Sequence, residues 1–334
     1  MISDKDISIV MQGPVIGQQT ANTFERVTYL ALQSIRCSYP QAEIILSTWE
    51  HSNLDDLDFD IIIENKDPGS LKAFRDRDCN VNRQIVTTHS GINRCTRPYC
   101  VKLRTDCSIY HQGLINCLEL ANIQPALPHQ IFEKPIVISE LGSVSPLRCS
   151  RLFHPSDIFQ AGKTVDMQKL WDTPFETELE TLHWHKHVRR RRFLVPANYM
   201  HTRHMPEQHI WISCLQKAGI KIDIKHFEDF PRHMIILSER YLAANFNIYS
   251  ASNLGFAPSS HLWNQGQAVQ FFQQNEFQSM HELCINNIPD TAPQWTHRVR
   301  SCLKNHHIRQ IQAFLIHNLM TRLLRIVGHG KRND

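Results

Sequence analysis

The sequence predicts an α/β protein built on a mainly parallel, Rossmann-type sheet flanked by helices and followed by a helical C-terminal extension. Three observations carry this. Short isoleucine-rich apolar runs alternate with helical patterns in the first part of the chain. Several of those runs stop at clusters of Gly, Pro, Asp or Asn, which punctuate strands. The final segment instead repeats its apolar residues at helical spacing.

Ile7 to Met11 reads as a buried first strand that ends at Gln12, Gly13 and Pro14. Asn22 offers an N-cap for a helix whose apolar face is Phe24, Val27, Leu30, Leu32 and Ile35, ending before Pro40. Glu43 to Thr48 and Asp60 to Glu64 are two more strands, too short for helices and rich in β-branched residues. Strand, helix, strand order implies parallel pairing. After the turn Asp67, Pro68, Gly69, Ser70, the segment Asn80 to Ser90 is predicted helical, with Gly91 as its stop. Tyr99 to Leu103 is the next strand, followed at once by Arg104, Thr105 and Asp106, and Ile136 to Ser139 is a further one. Ile308, Ile311, Phe314, Leu315, Leu319 and Leu323 mark the amphipathic C-terminal helix, beyond which the tail is expected to fray.

With 334 residues, 42% hydrophobic and 20% charged, the chain can bury a full core. Its 36 Lys and Arg against 32 Asp and Glu leave a formal charge of +4, so an anionic ligand must meet local patches, and nucleic acid is not implied. The ten cysteines are scattered without a C-x-x-C pair and are expected to be reduced. No leader pattern or spanning apolar stretch is visible, which leads to the expectation of a cytoplasmic protein with at most peripheral membrane contact.

Ligands of doubly wound sheets bind beyond the carboxyl ends of the strands. Asp106 is predicted there, where a carboxylate can hold a divalent cation or simply cap a turn. The ordered motifs ISIVMQGPV, AEIILSTWE, IIIENKDPG, NRQIV and YCVKLRTD, with FHPSDIFQAG and PEQHIW behind them, resemble the WavE family of bacterial lipopolysaccharide-synthesis proteins. The likeness spans most of the chain and weakens beyond about Ser260. It implies a GT-A-like glycosyltransferase that moves a sugar from a nucleotide-sugar donor to a lipopolysaccharide-core or capsule acceptor.

On that resemblance, residues 1–145 form the nucleotide-sugar-binding half and 146–260 the acceptor-side half of one domain, with 261–334 a helical extension suited to membrane docking. Gln12, Gly13 and Pro14 would accommodate the base; an ordinary tight turn is the competing account. Asn65, Lys66 and Asp67 offer groups for base and ribose, and Arg83 could reach a phosphate. The D-x-D metal signature of such enzymes stands here as Arg104, Thr105, Asp106, so Asp106 would hold Mg²⁺ or Mn²⁺ alone, or Arg104 would supply the charge itself.

An inverting transferase also needs a base for the acceptor hydroxyl. Asp157 and Glu207 are the candidates, although each also suits a helix N-terminus. His183, Trp184, His185 and His187 with Arg189 to Arg192 offer an anion-binding patch for an acidic glycan or lipid headgroups, or a solvated turn. His261 is a possible late metal ligand or a structural histidine, and Arg309, Arg322, Arg325, Lys331 and Arg332 give the last helix a basic side. Two other functions fit the pattern less closely: a catalytically inactive, membrane-docked partner in polysaccharide assembly, and a sugar-phosphate nucleotidyltransferase.

Overall fold

Strands that are apolar on both faces must be covered on both, and this requirement organises the molecule. The computed structural model describes residues 1–19, 24–72, 78–177, 203–258 and 270–329. Seven strands form one sheet: β1 (Ile7–Gln12), β2 (Glu43–Trp49), β3 (Ile61–Asn65), β4 (Tyr99–Arg104), β5 (Ile136–Ser139), β6 (Gln160–Lys163) and β7 (Phe246–Tyr249). Their order is β7-β5-β6-β4-β1-β2-β3. All neighbours run parallel except β6, which is antiparallel to both β4 and β5. The mainly parallel, Rossmann-type sheet flanked by helices expected from the sequence is therefore the one observed.

Nine helices are described: α1 (Val27–Ser38), α2 (Val81–Ile92), α3 (Gly113–Ile123), α4 (Thr164–Trp171), α5 (Pro206–Lys217), α6 (Arg232–Asn245), α7 (Ala251–Leu254), α8 (Gln274–Ile285) and α9 (Pro293–His329). On one face of the sheet Ile7, Ile9 and Met11 of β1 pack with Leu32 and Ile35 of α1 and Leu114 and Leu118 of α3. On the other, Val10 joins Met167 and Trp171 of α4, Trp211 of α5 and Leu242 of α6. Each such large apolar side chain contributes roughly 1.5–3 kcal/mol on burial.

Three expectations change. Gly91 lies inside α2 rather than ending it, because a Cβ there would stand 2.4 Å from Val10 Cγ1. The missing side chain lets the helix press onto the sheet. Phe24 belongs to a two-residue strand paired with Gln18–Gln19, so the helix begins later than expected, at Val27. Finally, α9 begins at Pro293, well before the apolar stripe that announced it, because Trp295 and Val299 bury their side chains beneath it. Arg298 Nε lies 2.6 Å from the fully buried Glu239 Oε2 of α6 and fastens this first part of the helix.

Candidate active site

β1 is followed by β2 on one side and, after two crossovers, β4 pairs on its other side. The connections diverge there, beyond the carboxyl ends of β1 and β4, the position where doubly wound sheets bind their ligands. The two ends are stitched together. Thr105 N donates to Gln12 O at 3.2 Å, and Thr105 Oγ1 donates to Pro14 O at 2.6 Å. Gly13 takes φ +120°, which suits glycine, and its N donates to Ser47 O at 3.1 Å. Buried Gln12 accepts from Thr87 Oγ1 of α2 at 2.9 Å. Gln12, Gly13, Pro14, Arg104 and Asp106 thus meet at one edge.

Asp106 is closed by its neighbour. Arg104 Nε and Nη2 each donate to one Asp106 carboxylate oxygen at 2.8 Å, a two-pronged contact that raises the Arg104 pKa. Arg83 makes the same fork with Asp67, at 2.8 and 2.6 Å, and donates to Asn80 Oδ1 at 3.0 Å. The Arg83 guanidinium in turn holds the Asp67 carboxyl below its usual range. Asn65 spends its amide hydrogens on Ser47 Oγ and Thr48 O, both at 3.0 Å, while Lys66 is exposed.

The described residues do not suit a metal cage. Both Asp106 oxygens face the Arg104 fork, and no group of three or more His, Cys, Asp or Glu is gathered among the described residues. The positive charge at this edge belongs to side chains.

Beside that edge, on the α4 and α5 side, the two carboxylates expected from the sequence come together. Asp157 just precedes β6, whose antiparallel course starts it at the carboxyl edge of β4. Gln84 Nε2 of α2 donates to Asp157 Oδ2 at 2.5 Å. Lys102, in the middle of β4 and fully buried, donates from Nζ to Asp157 O and lies 5.1 Å from the Trp171 ring centroid. Burial pulls the Lys102 pKa down to about 8, against the attraction of Asp157.

Glu207 opens α5 behind Pro206, a residue suited to the first helical position. Burial, and then the negative charge of Asp157, push its pKa up to about 8, opposed by Arg151 and Lys102. Its Oε2 is 3.4 Å from His154 Nε2. Burial and then Arg151 drive His154 down to about 3, so at neutral pH both groups are uncharged and the contact is not an ion pair. Glu207 Oε2 and both His154 ring nitrogens are buried without a hydrogen-bond partner among the described residues. Burying such atoms is costly unless a polar group meets them.

The model of WavE lipopolysaccharide synthesis matches residues 7–328. The chain belongs to the WavE family. No curated relative matches it. Among solved structures, residues 1–349 of S. aureus TarS in complex with UDP-GlcNAc are similar at TM-score 0.33 and 10% identity, over 95% of this chain and 92% of that one. A cytidylyltransferase from Leptospira borgpetersenii is similar at TM-score 0.29 and 12% identity, over 56% and 72%. A 4-diphosphocytidyl-2C-methyl-D-erythritol synthase from Anaerococcus prevotii is similar at TM-score 0.31 and 12% identity, over 55% and 85%. Likenesses this weak carry no argument about activity.

Several residues of this WavE chain escaped sequence reasoning. Lys102 carried a signal, a lone lysine inside the apolar run YCVKL, that went unread. Nothing local in the sequence ties Gln84 to Asp157, 73 positions away. Asn82 exchanges hydrogen bonds with the Glu176 backbone at 2.8 and 2.9 Å, and Glu176 Oε2 lies 3.1 Å from His209 Nδ1 of α5. No spacing in the sequence announces that bracket. Asn22, His183, Trp184, His185, His187, Arg189 to Arg192, His261, Lys331 and Arg332 lie outside the described residues.

Proposed function

We propose that this WavE-family protein is a nucleotide-sugar-dependent glycosyltransferase of lipopolysaccharide synthesis. The acceptor would be a core or capsule-type glycan carried at the cytoplasmic face of the inner membrane. The observation that carries this reading is the carboxylate pair Asp157 and Glu207 beside the cations Lys102 and Arg104 at the switch-point edge. A transfer reaction needs both a proton acceptor and a place for the departing negative charge.

In this reading Gln12, Gly13 and Pro14, with Lys66 and Asp67, border the nucleoside, and Arg83 and Arg104, keeping their forks with Asp67 and Asp106, offer their remaining N–H groups to the diphosphate. Glu207, whose proton affinity lies near neutrality, takes the acceptor hydroxyl proton when ionised. The hydroxyl oxygen then bonds to the anomeric carbon as the bond to the diphosphate oxygen breaks. The leaving nucleoside diphosphate carries away the electron pair, and Arg104 stabilises its charge. Asp157, oriented by Gln84 and Lys102, keeps the proton affinity of Glu207 high. A divalent cation at Asp106 would have to displace the Arg104 fork, so no step is routed through one.

The test is calorimetry of purified protein with UDP, GDP and CMP, joined to complementation of a deletion strain scored by lipopolysaccharide gel. One nucleotide should bind, more weakly in Arg104→Gln, and Glu207→Gln should fail to restore the glycan. Absence of nucleotide binding together with full complementation by both variants would sink the proposal.

A further inference from the structure

The outer face of α9 has no role in the site described above. Its inner face packs on the body through Trp295, Val299 and Cys302, and Asn305 Nδ2 donates to Leu147 O at 2.9 Å. The opposite side presents Arg300, Lys304, Ile308, Ile311 and Leu315, all exposed. Their spacing of four, four, three and four residues places them along one helical line. Ile308, Ile311 and Leu315 expose 41%, 58% and 60% of their surface, so this is a continuous apolar stripe in water with cations at its body-proximal end.

Charge identifies what fits it. Pro293–His329 contains no Asp or Glu, against Arg298, Arg300, Lys304, Arg309, Arg322 and Arg325. Of Arg298, Arg300, Lys304 and Arg309, only Arg298 is ion-paired to a carboxylate among the described residues, to Glu239 of α6. A second copy of α9 laid along the stripe would set cation against cation, whereas an anionic bilayer offers acyl chains for the apolar residues and headgroups for the basic ones. Among the described residues no helix is long and apolar enough to cross a membrane, which leaves the interface as its place.

We propose that this stripe of α9 seats the protein on an anionic lipid surface, with Ile308, Ile311 and Leu315 entering the headgroup boundary and Arg300 and Lys304 meeting lipid phosphates. The full chain should co-sediment with vesicles of phosphatidylglycerol and phosphatidylethanolamine and far less with phosphatidylcholine alone. The triple variant I308S/I311S/L315S and the double variant R300Q/K304Q should each weaken binding by at least about tenfold. Because these side chains are exposed, both variants should keep the parent's thermal unfolding and nucleotide binding, which separates this test from that of the transferase. Failure to bind anionic vesicles would overturn the proposal, as would binding unchanged in both variants. A solution dimer that the triple variant alone converts to monomer would also overturn it, because a second copy would then cover the stripe.

Discussion

Replacing Glu207 by Gln should stabilise the protein at alkaline pH while abolishing transfer. Burial and the charge of Asp157 carry the carboxyl from its ordinary 4.5 to about 8. Between those values the folded chain holds a proton that the unfolded chain has released, so stability falls as pH rises through this window and levels off above it. The full displacement corresponds to at most about 5 kcal/mol. The Glu207 side chain is 19% exposed, and allowing for water there reduces the expectation to about 3 kcal/mol. Gln keeps the shape and cannot ionise. Urea unfolding at 25 °C should therefore find the two proteins within about 1 kcal/mol at pH 5, and the variant ahead by about 3 kcal/mol at pH 8.5. Parallel stability profiles, or a variant that is weaker at pH 8.5, would refute the buried, proton-holding environment assigned to Glu207.

The same proton affinity predicts that turnover climbs with pH toward about 8 as Glu207 ionises, read from kcat at saturating donor. Arg104→Gln removes a two-pronged donor and uncovers Asp106. Nucleoside diphosphate affinity measured by calorimetry should drop roughly tenfold or more and respond to added Mn²⁺, whereas the parent should be indifferent to EDTA. Lys102→Met removes a buried cation that lowers the Glu207 pKa, so carboxyl NMR titration should move Glu207 further up; an unmoved titration would refute their coupling. Gly91→Ala drives a Cβ into Val10 and should cost about 1–3 kcal/mol in urea unfolding, with nucleotide affinity retained.

Much of the fold was legible because its signals are local. A strand such as ISIVM or EIILST is recognised by apolar, β-branched composition, and its partner by the helix between them. β6 was not legible. QAGK has neither pattern nor propensity, and it becomes a strand because Gln160, Ala161, Gly162 and Lys163 pair with Lys102, Val101, Cys100 and Tyr99. Gly91 looked like a helix stop because sequence shows a missing side chain but not the Val10 methyl that requires it to be missing.

The sequence by itself determined the edge: Gln12, Gly13, Pro14 and Asp106 lie at strand ends whatever packs around them, since strand order and the punctuation after each run place them there. Only the tertiary structure decided what those groups meet. Arg104 at the end of β4 folds back on Asp106, and Arg83 of α2 reaches Asp67 in the loop after β3, contacts set by side-chain geometry in space. The antiparallel course of β6 and the docking of α5 bring Asp157 and Glu207 from 50 positions apart in the sequence into one buried field with Lys102. Proton affinity depends on distance and burial in space, and chain separation carries neither.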